Sequence, residues 1–161
     1  MTVDTLRFGQ IEIDEGTIIT FEEGLPGLEE YREYAIINLE ESYPIVWLQC
    51  VTHGDICLPV VNSFLLLPDY EFDIEEEYVD KLLIEGLEDL FVVSVLVIPD
   101  ALEQMTINQV APILINTRTR TAAQIILGGS QYNPRLPAYV RISELIQEGG
   151  QADAGAVEKA E

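Results

Sequence analysis

Apolar and polar residues alternate with a period of two along much of the chain, a pattern typical of β-strands that bury one face. Short examples near the start are "TLRFG", "QIEID" and the β-branched "TIITF". Longer apolar segments follow, separated by Gly, Pro, Asn or acidic turns: "YAIIN", "PIVWLQC", "LPVVNSFLLL", "LFVVSVLVI", "TINQVAPILIN" and "TAAQIIL". Together they predict roughly nine to ten strands, without the intervening helical patterns that parallel βαβ units need. We therefore expect a mainly β protein, an antiparallel barrel-like single domain, with a sandwich as the alternative arrangement.

Two or three short helices are expected beside the strands. Apolar residues recur every four positions after a capping pattern at Asp73, which predicts a helix over residues Ile74–Ile84. A second helix is predicted from Pro137 onwards, and "GLPGLEEYREY" suggests a tight turn followed by one helical turn. The small, polar end of the chain predicts a disordered tail over residues 146–161, after a barrel domain over residues 1–145.

Length and composition agree with one soluble domain. The chain has 161 residues, 48% of them apolar, which is enough for a core without a metal or disulfide. Its two cysteines, Cys50 and Cys57, form no C-x-x-C pair, and the first residues do not resemble a signal peptide. We expect reduced cysteines in a cytoplasmic protein. The apolar run "LFVVSVLVI" is far shorter than the roughly 20 residues of a membrane helix, so no membrane span is expected.

The charge of the chain is strongly negative and unevenly distributed. A net charge of −21 repels nucleic acid and anionic lipid, and it favours encounter with basic proteins. Residues 104–143, however, contain no Asp or Glu and four arginines: Arg118, Arg120, Arg135 and Arg141. Two faces that meet two kinds of partner would explain this distribution, and so would chance variation within an acidic chain.

The densest negative charge follows Pro68, where residues 69–89 carry ten carboxylates and one Lys. In "PDYEFDI" acidic residues alternate with apolar ones, so a strand would place three carboxylates on one face and Tyr70, Phe72 and Ile74 on the other. Further acids continue into the first turn of the predicted helix, where the helix dipole favours negative charge. We call five of these residues the acidic ridge: Asp69, Glu71, Asp73, Glu75 and Glu76.

Catalytic and metal-binding interpretations of these residues find little support. The D-x-E-x-D pattern resembles the start of a calcium loop, but Ile74 stands where that loop needs Gly and Asp80 where it needs Glu. The only histidine, His53, lies beside Gly in a predicted surface turn, and no phosphate-binding or nucleophile motif occurs. We therefore predict no metal, no cofactor and no enzymatic activity. A solvated face and a docking surface for a basic protein both remain as explanations of the acidic ridge.

Several stretches, taken together, resemble the FliW family of flagellar assembly factors. In order along the chain they are "FGQIEID", "IITFEEGLPGLEEY", "WLQC", "FLLLPDYEFDI", "MTINQVAPILINTRTRTAAQIIL" and "YNPR". They span residues 6–135, and the combination of F-x-x-G-L-P-G-x-E, P-D-Y-E-F and A-P-I-x-I-N-T is specific. One departure is Leu136, which occupies the place of a His near the end of the family pattern. That departure puts in doubt any role transferred to the C-terminal residues.

The resemblance implies a mostly β, barrel-like cytoplasmic protein that works by exchanging protein partners. Family members bind CsrA, a small RNA-binding repressor of flagellin translation, and they also bind newly made flagellin. Export of flagellin releases the assembly factor, which then captures CsrA and relieves the repression. A flagellin export chaperone without translational control is the alternative.

Charge suggests where each partner would bind. A positively charged RNA-binding protein is drawn to carboxylates, so the expected CsrA contacts are Asp69, Glu71, Asp73, Glu75 and Glu76. The same carboxylates would repel RNA phosphates, so inhibition could proceed without covering every residue that contacts a base. For flagellin the candidate is the acid-free part of the surface, with Arg118 and Arg120 on a predicted hairpin as the contacts; that part could equally be only the underside of the barrel.

Overall fold

The computed structural model describes residues 1–151 and contains three α-helices and eleven β-strands. The helices are α1 (Ser63–Leu66), α2 (Glu76–Lys81) and α3 (Tyr139–Gln151). The strands are β1 (Thr2–Thr5), β2 (Gly9–Glu12), β3 (Ile19–Phe21), β4 (Glu33–Ile37), β5 (Ile45–Cys50), β6 (Cys57–Asn62), β7 (Leu90–Val97), β8 (Thr106–Ile107), β9 (Ile113–Asn116), β10 (Thr121–Gln124) and β11 (Leu136–Pro137).

Seven of the strands close into a barrel in the order β7, β6, β5, β4, β3, β10 and β9, with β9 pairing back to β7. The prediction of a mainly β, barrel-like domain is therefore confirmed. Six of the seven pairings are antiparallel, while β3 and β10 run parallel. These two strands come from distant parts of the chain, so no hairpin turn dictates their relative direction.

The barrel interior is filled by large apolar side chains. Phe21, Tyr34, Leu48, Ile113 and Ile115 are all buried there in one cluster. Neighbouring residues on the same strands point outwards, as the two-residue period of a strand requires. Because much of the outer wall is also covered, these strands are apolar on both faces, and the sequence shows continuous apolar runs instead of strict alternation.

Three groups of residues cover the outer wall. The β1–β2 hairpin packs Val3 against Ala35 and Val51. Helix α3 buries Ile142 and Leu145 in a second cluster that also includes residues of α1, β7 and β8. The segment around α2 forms the third cover, with buried apolar contacts to β7, β9 and β10. This third cover carries the acidic ridge.

The helices differ from their predicted bounds. Helix α2 begins at Glu76 and ends at Lys81, and it is therefore shorter than the predicted helix over Ile74–Ile84. Leu83 follows it with a φ of 54°, a left-handed conformation that cannot continue an α-helix. Helix α3 extends to Gln151, so the first six residues of the predicted tail are helical. The remainder of that tail, residues 152–161, lies outside the described residues.

Two apolar stretches also differ from their predictions. The run "LPVVNSFLLL" was expected to form one strand, but β6 ends at Asn62 and α1 begins at once. The Asn62 side chain accepts hydrogen bonds from the backbone N–H groups of Phe64 and Leu65, at 3.0 and 3.2 Å, and so caps α1. "GLPGLEEYREY" forms turns without a helical turn. Within residues 1–151 no helix has the length and apolar content needed to cross a membrane.

Candidate protein-binding surface

The ridge segment, residues 67–75 between α1 and α2, makes a turn at Pro68 and Asp69 and then runs to α2 without regular secondary structure, outside the β-sheet. Its burial alternates as predicted: Tyr70 is only 6% exposed and Phe72 is half-buried, while Asp69, Glu71 and Asp73 are exposed. The prediction that these residues form a β-strand is wrong, because the segment pairs with no strand. The seven barrel strands already have a neighbour on each side, so the barrel wall on which this segment lies offers it no strand edge; the open edge of the sheet is at β11.

Two tyrosine hydroxyls hold the ridge segment on the barrel in place of a strand ladder. The hydroxyl of Tyr70 donates to the carbonyl oxygen of Gln109 at 2.5 Å. The hydroxyl of Tyr132 donates to the carbonyl oxygen of Glu71 at 2.7 Å. Burial raises the pKa of Tyr70 above its usual range, so its phenol stays protonated and remains a donor even in alkaline solution. These bonds and the packing of Phe72 fix the direction of the exposed carboxylates.

The carboxylates of the acidic ridge are not neutralised by the protein itself. All five are exposed, and none lies within ion-pair distance of a cation in residues 1–151: Asp69, Glu71, Asp73, Glu75 and Glu76. Seven other acids of residues 1–151 pair with cations, while further exposed acids outside the ridge, such as Glu40 and Glu41, do not. Glu77 lies 3.0 Å from the Lys81 amine, which also contacts Glu23, and Arg141 pairs with Glu144 at 3.4 Å. The ridge therefore presents uncompensated negative charge to solvent.

A cavity of about 520 Å³ adjoins the ridge, and we call it the aromatic hollow. Its lining consists of four aromatic rings and two ridge carboxylates: Phe64, Tyr70, Phe72, Tyr132, Glu71 and Asp73. The rings of Phe64 and Phe72 are nearly parallel, with 10° between their planes and 6.2 Å between their centroids. Phe64 is 44% exposed, which is unusual for so large an apolar side chain.

Sequence reasoning did not place Phe64 or Tyr132 at this site. Phe64 stands inside an apolar run that was interpreted as a buried strand, and Tyr132 is distant in sequence. The only available signal for Tyr132 was the conjunction of "YNPR" with "PDYEF" among the motifs of the family resemblance. No local pattern shows that the two rings meet.

The two arginines guessed for flagellin lie in the turn between β9 and β10, which pair as an antiparallel hairpin. Residues 117–120 form a turn, so these arginines do not alternate with the neighbouring threonines along a strand. Asn116 closes the turn, because its Oδ1 accepts hydrogen bonds from the N–H groups of Arg118 and Thr119. Arg118 is neutralised by Asp89 at 3.4 Å and by Glu85 at 3.6 Å. Arg120 is exposed and has no carboxylate within ion-pair distance among the described residues.

A second cavity, of about 570 Å³, opens at one end of the barrel. Ile36, Val46 and Phe91 supply its apolar wall, and Asp89 lies on its lining. Because Asp89 pairs with Arg118, the turn between β9 and β10 borders this barrel mouth. The surface of the barrel mouth is more apolar than that of the aromatic hollow, and the two cavities share no lining residue.

The remaining chemically reactive side chains lie elsewhere. His53 is exposed and packs its ring against Tyr31, with 4.4 Å between ring centroids. Both cysteines are free: Cys50 is buried, while Cys57 is half-buried, and burial raises the pKa of its thiol. In the described part of the chain, no three His, Cys, Asp or Glu side chains converge as a metal site would require.

The fold and this surface define the class of protein: a closed, seven-stranded β-barrel that carries an acidic segment on its outer wall. The sequence model of the family described as FliW protein matches residues 2–138. A crystal structure of the flagellar assembly factor FliW superposes with a TM-score of 0.81 at 30% identity, covering 86% of this chain and 97% of that one.

The alignments with similar proteins cover most of the length of both chains. A flagellar assembly factor FliW of Alkaliphilus metalliredigens is 34% identical over 157 residues, which cover 97% of both chains. The FliW of Bacillus subtilis is 36% identical over 137 residues, covering 85% of this chain and 96% of its own. The chain belongs to the FliW family of flagellar assembly factors.

Proposed function

We propose that this protein is a cytoplasmic antagonist of the RNA-binding translational repressor CsrA. In this proposal flagellin occupies the protein while flagellin is abundant, and export of flagellin releases it. The freed protein then captures CsrA, so that translation of flagellin resumes. Membership of the FliW family supports a role in flagellar assembly, and the resemblance described above is the source of the two named partners.

The observation that carries the proposal is the uncompensated charge of the acidic ridge. A protein that binds RNA must present positive charge, and complementary charge raises the association rate and selects the partner. Within residues 1–151 no cation pairs with the ridge carboxylates, so in this proposal they pair with the cations of CsrA. A bound ridge would also hold negative charge beside the RNA path, which disfavours phosphates there.

The experiment is co-elution of the purified protein with purified CsrA, with the affinity measured at several salt concentrations. The variant changes three ridge residues together: Asp69→Lys, Glu71→Lys and Asp73→Lys. A matched control changes three exposed acids elsewhere on the chain by the same total charge: Glu40→Lys, Glu41→Lys and Glu103→Lys.

We expect the ridge variant to bind CsrA at least about tenfold more weakly, because it replaces attraction with repulsion at the contact. The control variant should lose only the weaker, screened attraction of distant charge. If wild type and the ridge variant bound CsrA equally, the acidic ridge would not be the CsrA site. If no complex formed even in dilute buffer, the proposed function would be wrong.

A flagellin-binding export chaperone without translational control is the second candidate. The barrel mouth favours it, because Ile36, Val46 and Phe91 offer an apolar wall there, beside the carboxylates of Glu88 and Asp89. Flagellin held mainly by this apolar wall should respond less to salt than CsrA at the ridge, which should be released steeply as salt rises. Arg118 and Arg120 remain our proposed flagellin contacts at the border of the mouth. Changing Arg120, which has no carboxylate partner within residues 1–151, to Ala tests them first.

A further inference from the structure

We propose that the aromatic hollow is a socket for a single arginine side chain of a protein partner. The inference rests on the proposed function in one respect: CsrA is the partner expected to supply that arginine. The lining offers flat aromatic faces and carboxylates at the same place, which is the combination that guanidinium groups bind.

The aromatic part of the socket is preformed. The rings of Phe64 and Phe72 lie within 10° of parallel, with 6.2 Å between their centroids, so both border the hollow in the same orientation. A guanidinium is planar and can stack on an aromatic face while its N–H edge remains available for hydrogen bonds. Tyr70 packs against both rings, with its centroid 6.0 Å from that of Phe64 and 5.2 Å from that of Phe72, and the ring of Tyr132 stands nearly perpendicular to that of Tyr70 at 87°.

The hollow also supplies acceptors for the N–H groups of a guanidinium. Glu71 and Asp73 both line the hollow, and both are exposed and unpaired with cations in residues 1–151. A carboxylate can accept two N–H bonds from one arginine, which makes this pairing stronger and more directional than pairing with a lysine. The tyrosine hydroxyls do not compete for those bonds, because both already donate to backbone carbonyls.

Other occupants fit less well. An apolar side chain would fill the aromatic part but would desolvate Glu71 and Asp73 without pairing them, which is unfavourable. An anionic group would be repelled by the same two carboxylates. The nearby cation Lys81 is held by Glu23 and Glu77 and is not among the lining residues, so the described chain does not fill the socket itself.

The first test separates aromatic stacking from simple apolar contact by two substitutions at the exposed ring. Phe64→Leu keeps an apolar side chain but removes the aromatic face, and we expect CsrA to bind about 3- to 30-fold more weakly. Phe64→Trp enlarges the face and should bind at least as well as wild type. Leu87→Ala serves as control, since Leu87 is highly exposed and does not line the hollow.

The second test needs no CsrA. N-acetyl-arginine amide is titrated into the protein while the ring protons of Phe64 and Tyr132 are followed by NMR, with the neutral, isosteric N-acetyl-citrulline amide as the matched ligand. We expect saturable shifts with arginine, none with citrulline, and loss of the shifts in Phe64→Leu.

The outcomes distinguish the inference from the proposed function. If CsrA binds, but neither the Phe64 variants nor free arginine gives an effect, the socket is wrong and the proposed function stands. If arginine shifts the rings while CsrA does not bind, the socket stands and the proposed partner is wrong.

Discussion

A single buried amide, that of Asn116, ties the acidic cover to the barrel, and its removal gives the sharpest test of the fold. Asn116 is only 1% exposed. Its Nδ2 donates to the carbonyl oxygens of Leu82 at 2.8 Å and Leu83 at 3.2 Å, at the end of α2. Its Oδ1 accepts from the N–H groups of Arg118 and Thr119. We predict that Asn116→Ala releases both the end of α2 and the turn.

The expected loss follows from the groups that would be left unpaired. The Leu83 carbonyl keeps a bond from the Arg118 guanidinium at 2.8 Å, so only the Leu82 carbonyl becomes orphaned inside the protein. An unsatisfied buried acceptor costs about 1–3 kcal/mol, and losing the two turn bonds, whose donors can reach water, adds about 1 kcal/mol. The free energy of unfolding should therefore fall by roughly 2–4 kcal/mol. For a domain of this size the midpoint temperature should drop by about 4–16 °C.

Urea unfolding followed by circular dichroism measures this loss directly, and hydrogen exchange locates it. In Asn116→Ala the Leu82 amide, which donates to the Tyr78 carbonyl, should lose protection before the barrel strands do. The control is Thr117→Ala, which removes one exposed bond to the Asp89 carbonyl and should cost under about 1 kcal/mol. The reasoning would be refuted if the Asn116 variant were no less stable than this control.

Two further predictions concern other parts of the barrel. A Cβ at Gly54 would lie 1.8 Å from the Asp4 carbonyl oxygen. We therefore expect Gly54→Ala to lower the free energy of unfolding by about 1–3 kcal/mol, measured by urea unfolding. An unchanged midpoint would mean that the β1–β2 hairpin moves aside at little cost. Burial raises the pKa of Tyr34 to about 12 and raises that of Tyr70 as well, whereas the pKa of a tyrosine in the unfolded chain is about 10. These two groups should therefore not affect the free energy of unfolding below a pH of about 10, and that free energy should fall as the pH rises towards about 12. The prediction would be contradicted if all seven tyrosines of the folded protein titrated together at a pH of about 10.

The ridge shows which part of the site could be predicted from sequence. A two-residue period in "PDYEFDI" was enough to predict that Tyr70 is buried and that Asp69, Glu71 and Asp73 are exposed, because alternation depends only on an extended backbone. It could not show whether the segment joins the sheet. That depends on whether a strand edge is free, which is decided by closure of the barrel between β7 and β9.

The aromatic hollow could not be predicted, for a related reason. Phe64 reaches the surface because Asn62 ends a strand and caps a one-turn helix inside an otherwise apolar run. Tyr132 arrives from the far side of the chain, beyond β10. Local patterns predict burial and turns well, but a concave site made by residues from three segments depends on tertiary contacts. The family resemblance predicted the barrel and the family correctly without locating this cavity.

The attachment of the ridge segment to Gln109 and Tyr132 has a consequence for synthesis of the chain on the ribosome. The acids of the ridge leave the ribosome well before either anchor has been translated, and β3 must wait for β10 before the barrel can close. Until then the emerging polypeptide has the charge but no rigid frame to present it. A prematurely terminated product would therefore carry the acids of the ridge without the two hydrogen bonds that orient them, so only a full-length molecule presents this surface in one fixed arrangement.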